Sequence, residues 1–290
     1  MPSTVCDGIE THYELFGSGP PLLLFSPGGF NATVENWWSF GIYERLNLLE
    51  HLQKRYTCIA FDKRESGRSG GRVEPLTWDA YAAQGAALLD HLEIERAHLM
   101  GGCIGCSIAA AFAVAWPDRA LSAVLYSPAG GPRYRITQHA RFAEHLDYVA
   151  GHGLPGVVEL ARSGDATFAR DPRVGPWVST IRTDPAFAAA YAEQEPGGYR
   201  ATVEESARAL FARDTAPGPP AEALLALDLP ALVVPGRDTT HATSAARYLE
   251  ECLQAEYWDV PPAEQTEATA PARVLQFLAT SDSPRSSAAI

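Results

Sequence analysis

A glycine-rich turn between two apolar segments is the feature that most constrains the fold of this chain. Residues 97–112 read AHLMGGCIGCSIAAAF, a buried strand followed at once by an Ala-rich helix, with GGCIG between them. A strand that passes directly into a helix is the repeating unit of an α/β sheet. Glycines on both sides let the backbones approach closely, so that the side chain of Cys103 projects from a strained bend. Cys103 is therefore a candidate nucleophile, and the alternative is a small residue that fills a tight turn.

Strand and helix patterns alternate on both sides of this turn. Short apolar runs predict strands, and the segments between them predict helices; the runs are PPLLLF, YTCIAFD, RAHLMGG, RALSAVLYS, PALVV and AEYWDV. Between about Gly130 and Pro220 only helical patterns occur, separated by Pro and Gly. We predict an α/β fold with a mostly parallel central sheet flanked by helices. Its parts are a core at 1–130, a helical cap at 131–222, the rest of the core at 223–280 and a disordered tail at 281–290.

Composition narrows the classes of partner. The net charge of −12 argues against nucleic acids and anionic membranes as partners. No apolar run approaches the roughly 20 residues of a membrane span, and the polar start lacks a signal-peptide core, so we expect a cytoplasmic protein. The five cysteines are irregularly spaced, which argues against disulfides, and no second ligand pair follows Cys103 and Cys106 to hold zinc. We expect a small-molecule substrate, no cofactor and no metal; whether the chain forms a homodimer is left open.

Four features, in this order along the chain, resemble the α/β-hydrolase superfamily over nearly the whole length. They are FSPGGF at 25–30, DKRESGRS at 62–69, the turn at Cys103 and the helical insertion after SAVLYS. The usual nucleophile of that family is serine, and a cysteine at this position is similar to dienelactone hydrolases and polyhydroxyalkanoate synthases. The alternative is that the chain keeps the fold but has lost the catalytic activity.

The resemblance also implies partners for the nucleophile. Backbone N–H groups of Ile104 and of Gly29 or Phe30 would form the oxyanion hole. An acid and then a histidine would follow the nucleophile in the chain, and Asp238 in VVPGRDTTH stands at the position of the acid. Where the family has its histidine, this chain reads DVPPAEQTEAT and has none.

We therefore hypothesise a rearranged set of catalytic residues. His241, three residues past Asp238, would take the thiol proton, because triads are defined by geometry and not by chain order. Asp238, or Glu264 near the vacated histidine position, would orient the imidazole. The alternative for His241 is a residue that packs or caps a helix near the cleft.

The predicted cap should set substrate choice. The candidate substrate-binding residues are His139, Arg133, Tyr134 and Trp177, and Arg141 lies in the same segment. They suit a carboxylate-bearing or aromatic substrate, although arginines on helices usually face solvent.

The function predicted from these residues is hydrolysis of an ester, lactone or thioester of a small molecule through an acyl-cysteine intermediate. The alternatives are an acyltransferase that uses the same cysteine, a carbon–carbon bond hydrolase, and a non-catalytic ligand-binding member of the fold.

Overall fold

The computed structural model describes residues 2–213 and 215–281, and the strands in this part of the chain form one eight-stranded sheet with the order β1-β2-β4-β3-β5-β6-β7-β8. The pairs β1–β2 and β2–β4 are antiparallel, and all later neighbours are parallel. The strands are β1 Ser3–Cys6, β2 Ile9–Phe16, β3 Pro21–Phe25, β4 Thr57–Phe61, β5 Ala97–Gly102, β6 Ala120–Tyr126, β7 Ala231–Val234 and β8 Glu256–Tyr257.

Helices connect the strands and cover both faces of the sheet. They are α1 Asn36–Ser39, α2 Ile42–Leu46, α3 Leu48–Leu52, α4 Trp78–His91, α5 Gly105–Ala115, α6 Pro132–Arg162, α7 Val178–Thr183, α8 Pro185–Ala192, α9 Pro196–Leu210, α10 Ala221–Leu225, α11 Thr243–Leu253 and α12 Ala270–Ser281. Short 3-10 turns lie at Gly29–Asn31, Pro117–Arg119, Pro172–Val174 and Pro262–Glu264. The predicted fold class, an α/β sheet flanked by helices, is confirmed.

The hydrophobic core has two layers, one on each face of the sheet. Because successive residues of a strand point to opposite faces, Leu23 and Leu99 belong to the cluster that includes residues of α4, α5, α11 and the long helical segment. Leu22, Leu24 and Met100 belong to the other cluster, which includes residues of α2, α3 and α12. Strands buried on both faces explain the unbroken apolar runs of the sequence.

Between β6 and β7 the described residues form no strand, and the helices α6 to α9 make up a segment that we call the helical insert, Pro132–Leu210. Its long helix α6 is interrupted at Gly153, whose φ of 68° is not helical and which precedes Pro155 by two residues. The next helix, α10, contacts α5 and α11 and so lies against the sheet rather than the insert. The division into core and cap stays a prediction.

Three hydrogen bonds attach the insert to the loop region that follows β4. They run from Trp177 Nε1 to the Arg72 carbonyl (2.7 Å), from Ser179 Oγ to the Gly67 carbonyl (3.2 Å) and from Leu76 N to Ser206 Oγ (2.9 Å). The insert is thus attached to the rest of the molecule by these contacts in addition to its two chain connections.

The two ends of the chain compare differently with the predictions made from the sequence. The antiparallel strands β1 and β2 were not predicted. Of the predicted disordered tail only Ser281 is described, as the last residue of α12, and 282–290 lie outside the described residues. Among the described helices, none is both long and apolar enough to span a bilayer.

Candidate functional site

Cys103 occupies a strained turn between β5 and α5. Its φ of 54° lies in the left-handed region, which is uncommon for a residue with a side chain. The turn is held by backbone hydrogen bonds from Cys103 N to the Tyr126 carbonyl (3.1 Å) and from Ala129 N to the Cys103 carbonyl (3.3 Å). The side chain is nearly buried, with 7% of the residue exposed.

The flanking glycines of this turn are required by the close approach of backbones. A Cβ at Gly101 would lie 2.4 Å from the Gly105 carbonyl oxygen. A Cβ at Gly105 would lie 2.1 Å from the carbonyl oxygen of Phe25, the last residue of β3. Both distances are far inside van der Waals contact with atoms that cannot move aside, so the GGCIG pattern has a steric cause.

Backbone amides of the loop after β3 border the turn. The loop after β3 turns through Gly28 (φ 119°) and Gly29 (φ 67°) into the short 3-10 turn that contains Phe30. The loop is braced by Asn36, whose Nδ2 donates to the Pro27 carbonyl at 2.7 Å.

Within residues 2–213 and 215–281, no group accepts a hydrogen bond from the N–H of Gly29, Phe30 or Ile104. Amides of this kind are available to stabilise a negative oxygen.

A compact loop after β7 carries the predicted acid and base. Asp238 Oδ1 accepts hydrogen bonds from the backbone N–H of Thr240 (2.7 Å) and of His241 (2.8 Å). Asp238 Oδ2 lies 2.8 Å from His241 Nδ1, so the same carboxylate holds both the backbone and the ring. A Cβ at Gly236 would lie 2.1 Å from the Cβ of His241, and the loop therefore needs glycine at that position. The Gly130 N–H donates to the Thr240 carbonyl at 2.9 Å and ties the loop to the end of β6.

The ring of His241 lies in the same cavity wall as Cys103. Nε2 is buried and has no hydrogen-bond partner among the described residues. Burial alone would lower the pKa of His241, but interactions with Cys103 and then with Asp238 raise it to about 9. The two side chains do not meet the geometry of a hydrogen bond. Such contacts often tighten only when substrate is bound.

The position where a late histidine was expected holds a structural amide. Gln265 is fully buried; its Oε1 accepts a short hydrogen bond from Tyr126 OH, and its Nε2 donates to the Val260 carbonyl (2.8 Å). Glu264 is exposed and lines a separate surface depression beside α12. The structure therefore does not bring Glu264 to His241, and the ring is oriented by Asp238 alone among the described groups.

The DKRESGRS segment braces the loops behind the site. Asp62 is fully buried and accepts hydrogen bonds from the backbone N–H of Val34 (2.7 Å) and Arg68 (2.9 Å). The Ser66 hydroxyl donates to the Phe30 carbonyl at 3.0 Å. This segment supports the loop at Gly28–Phe30 and lies outside the cavity wall described next.

Cys103 and His241 open into one cavity of about 590 Å³. Its wall is formed by the loop at Gly28–Phe30, the turn at Cys103, the first turns of α6 and the loop after β7. The lining residues are Gly28, Gly29, Phe30, Phe40, Cys103, Arg133, Tyr134, Ile136, Thr137, Gln138, Arg141, Ala169, Thr239, Thr240 and His241. Phe40 and Ile136 are exposed, so the cavity reaches solvent between α1 and α6.

Two of the four predicted substrate-binding residues lie in this wall and two do not. Arg133 and Tyr134 line the cavity. His139 hydrogen-bonds to the Phe211 carbonyl (3.0 Å) and faces a different depression. Trp177 is fully buried and bonded to the core. The structure places these two side chains outside this cavity wall, because the rotation of α6 and the depth of Trp177 depend on tertiary packing.

Further wall residues were not singled out from the sequence. Ile136, Thr137 and Gln138 follow Arg133 within one or two turns of α6. The helical period, counted from Arg133, is the signal that could have found Thr137 one turn later. Phe40 and Ala169 come from loops and had no such signal.

The chain has recognisable relatives. A family model described as the α/β hydrolase fold matches residues 21–195. The chain is 36% identical over 124 residues to the dihydrolipoyllysine-residue acetyltransferase component of the acetoin cleaving system of Cupriavidus necator, a match covering 43% of this chain and 31% of that protein. It is 32% identical over 160 residues to 2-hydroxymuconate semialdehyde hydrolase of a Pseudomonas species, covering 54% of this chain and 51% of that one. The chain thus spans between about a third and a half of these curated relatives.

A solved structure matches over nearly the whole length. The enol-lactonase of Burkholderia xenovorans LB400 superposes with a TM-score of 0.61 and 21% identity, covering 96% of this chain and 100% of the other. At that identity the likeness shows the fold. The family model matches more than half of the chain and includes β3, the loop at Gly28–Phe30 and the turn at Cys103. The chain therefore belongs to the α/β hydrolase fold family.

Proposed function

We propose that this protein hydrolyses an ester, lactone or thioester of a small molecule, with Cys103 as nucleophile and His241 as general base. The observation that carries the proposal is the buried, unpartnered Nε2 of His241 beside Cys103 in one cavity wall. Burial of an imidazole nitrogen without a hydrogen-bond partner costs free energy, and in a native structure such a nitrogen indicates a functional role. Similarity to a hydrolase, a lactonase and an acyltransferase supports acyl chemistry.

In the first half-reaction the Cys103 sulfur attacks the carbonyl carbon while His241 Nε2 holds the thiol proton. The carbonyl oxygen becomes negative and accepts hydrogen bonds from the Ile104 N–H and from the Gly29 or Phe30 N–H. The tetrahedral species then collapses, the carbon–oxygen or carbon–sulfur bond of the leaving group breaks, and His241 gives its proton to that group. An acyl-thioester on Cys103 and a neutral imidazole remain.

The second half-reaction uses the same histidine in a different state. Acylation removes the negative charge that Cys103 can carry, and with it the largest influence that raises the pKa of His241. Burial still lowers the pKa of His241, and Asp238 is then the remaining group that raises it. A larger fraction of the rings is then neutral near neutral pH and able to take a proton from water. The resulting hydroxide attacks the acyl carbon, the thioester bond breaks, the acid is released, and His241 returns the proton to the Cys103 sulfur.

The experiment that tests this is acid quenching followed by intact-mass measurement, after mixing with a panel of activated esters, thioesters and lactones. An added acyl mass that is absent in Cys103→Ala is the expected result. In His241→Ala the adduct should form slowly and persist, because the base is missing from both half-reactions. Cys252→Ala, which removes another buried free cysteine, in α11, is the matched control and should behave as the parent.

An acyl adduct that survives in Cys103→Ala, or no adduct with any panel member, would contradict the proposal. Similarity to 2-hydroxymuconate semialdehyde hydrolase is the reason to include a vinylogous diketone, which tests carbon–carbon cleavage, in the panel.

A second candidate is transfer of the acyl group to an alcohol, amine or thiol. The apolar part of the wall, Phe30, Phe40, Ile136 and Ala169, would limit water at the acyl-enzyme. Adding glycerol, glycine amide or N-acetylcysteamine to the preformed adduct distinguishes the two functions. Hydrolysis predicts the free acid at an unchanged rate, and transfer predicts faster decay with a new ester, amide or thioester as product.

A further inference from the structure

The charged residues of the cavity wall are all basic. Arg133, Arg141 and His241 line it, and no aspartate or glutamate is among the described lining residues. This is unexpected for a chain with 35 acidic and 23 basic residues, Lys plus Arg. Asp238 lies behind His241 and is paired with it, so its charge is already balanced.

The two arginines are not held by the protein. Neither the Arg133 nor the Arg141 side chain forms a hydrogen bond or ion pair with a residue in the described ranges 2–213 and 215–281. Arg135, on the same helix, shows the usual behaviour, because its Nε donates to the Phe211 carbonyl at 3.0 Å. Five guanidinium donors without acceptors at a cavity wall are available to a ligand.

Their spacing places them together. Arg133, Thr137 and Arg141 are four residues apart in α6 and therefore follow one face of the helix, and all three line the cavity. Arg141 is half-buried, whereas Arg133 is exposed.

Arg141 shares a neighbour with Cys103 in this wall. Cys103, Tyr134 and Arg141 all line the cavity. Burial first, and then Cys103, raise the pKa of Tyr134, whereas Arg141 lowers it, so both groups interact with this tyrosine.

We infer that the substrate carries an anionic group remote from its reacting carbonyl, and that Arg133 and Arg141 bind this group. Guanidinium groups bind carboxylates and phosphates through paired hydrogen bonds. The apolar residues of the same wall, Phe30, Phe40, Ile136 and Ala169, suit a short hydrocarbon spacer. The inference rests on the proposed function and adds the charge of the substrate to it. A carboxylate on the acyl chain and a phosphate on the leaving group are two sources of the same chemistry.

The test compares probes that differ by one charged group. For the acyl side they are 4-nitrophenyl hydrogen glutarate and its neutral methyl ester. For the leaving-group side they are S-pentanoyl-4′-phosphopantetheine and S-pentanoyl-pantetheine, which differ by one phosphate. The readout is the second-order rate constant of Cys103 acylation, divided by the rate constant with free cysteine to remove intrinsic reactivity.

The parent protein should prefer the anionic member of one pair by about tenfold. In Arg141→Gln this ratio should fall about tenfold, and in Arg133→Gln about threefold, because the second side chain is exposed. Arg55→Gln makes the same change of charge at an exposed residue before the amino end of β4, whereas the site follows the carboxyl ends of β3, β5 and β7, and it should keep the parent ratio. The pair that shows the preference identifies the source of the anion. The preference should also shrink as NaCl is raised.

Equal ratios in the parent for both pairs would overturn the inference, as would an Arg141→Gln variant that slows both members of a pair alike. If the neutral ester acylates Cys103 without any charge preference, this inference fails and the proposed function stands. If no ester acylates Cys103, the proposed function fails. Calorimetry of monomethyl glutarate binding to Cys103→Ala then decides whether the anion site exists. Binding that weakens in the Arg141→Gln background supports the anion site, and no binding at millimolar ligand overturns it.

Discussion

The two halves of the site are built by different means. The nucleophile turn is held by backbone packed against buried backbone, with Gly105 against Phe25 of β3. The loop that carries Asp238 and His241 is held by hydrogen bonds to one carboxylate, whose side chain is 59% exposed, and by the Gly130 N–H. The first half is part of the hydrophobic core, and the second is a surface loop held by a few hydrogen bonds. We therefore expect placement of Cys103 to be coupled to global stability more strongly than placement of His241.

A pair of glycine substitutions tests that difference most directly, because both introduce a Cβ at 2.1 Å from another atom. In Gly105→Ala the obstacle is a buried carbonyl oxygen, and we expect the free energy of unfolding to fall by about 4 kcal/mol in urea titration. Gly151→Ala, where no atom lies within 4 Å, is the control and should be neutral or stabilising by up to about 1 kcal/mol. A Gly105→Ala protein with parent stability would show that the turn is not fixed by packing.

Gly236→Ala should produce the opposite combination of effects. Its obstacle is the Cβ of His241 in a loop that can shift, so we expect stability to change by about 1 kcal/mol or less. Displacement of the imidazole should slow Cys103 acylation about a hundredfold. The measurement is acylation by intact mass beside urea unfolding of the same sample. Strong destabilisation with normal acylation would reverse the comparison.

Asp238→Asn removes the charge behind His241 but keeps an oxygen that can accept from its N–H groups. We expect acylation to slow about tenfold, the lower end for residues that orient a functional histidine. A thiol needs less help from a base than a hydroxyl does. Asp259→Asn, on the next loop and paired with Arg237 and Arg247, is the control and should react as the parent. Identical rates in both variants would exclude an orienting role for Asp238.

The smallest expected effect is on stability in acid. Burial raises the pKa of Asp238, but the hydrogen bonds from His241 and Thr240 outweigh it and hold the pKa below its ordinary value. The carboxylate therefore stabilises the fold above the ordinary pKa of aspartate, and this contribution is lost as the pH falls through the lowered value. Because the group is largely exposed, the difference in acid-induced destabilisation between the parent and Asp238→Asn should stay below about 1 kcal/mol. A larger difference in urea unfolding between pH 5 and pH 2 would show that the loop is coupled to the core.

The central sheet was predictable because its strands are buried on both faces and leave unbroken apolar runs. Strands β1 and β2 were missed because Thr11 and His12 interrupt the apolar pattern of β2, although both are buried. The turn between them, Asp7-Gly8, has positive φ at both residues, which is the signal of a two-residue hairpin that could have found them.

The site was predictable to the extent that local sequence determines it. The turn at Cys103 is recognisable because backbone contacts permit only glycine beside it, and Asp238 and His241 are close in the chain. The place of Glu264 depends on how the chain turns after β8, and the side of α6 that His139 occupies depends on the rotation of that helix. Neither quantity is encoded within a few residues, so those assignments needed the three-dimensional structure.

The attachment of the helical insert has a consequence for how a ligand enters. The hydrogen bonds made by Trp177, Ser179 and Ser206 would all break if the insert lifted off the sheet, whereas the gap between Phe40 and Ile136 already reaches solvent. Entry through that gap costs none of these bonds. We therefore expect the observed rate of association to rise linearly with ligand concentration, without the plateau that a slow opening step imposes.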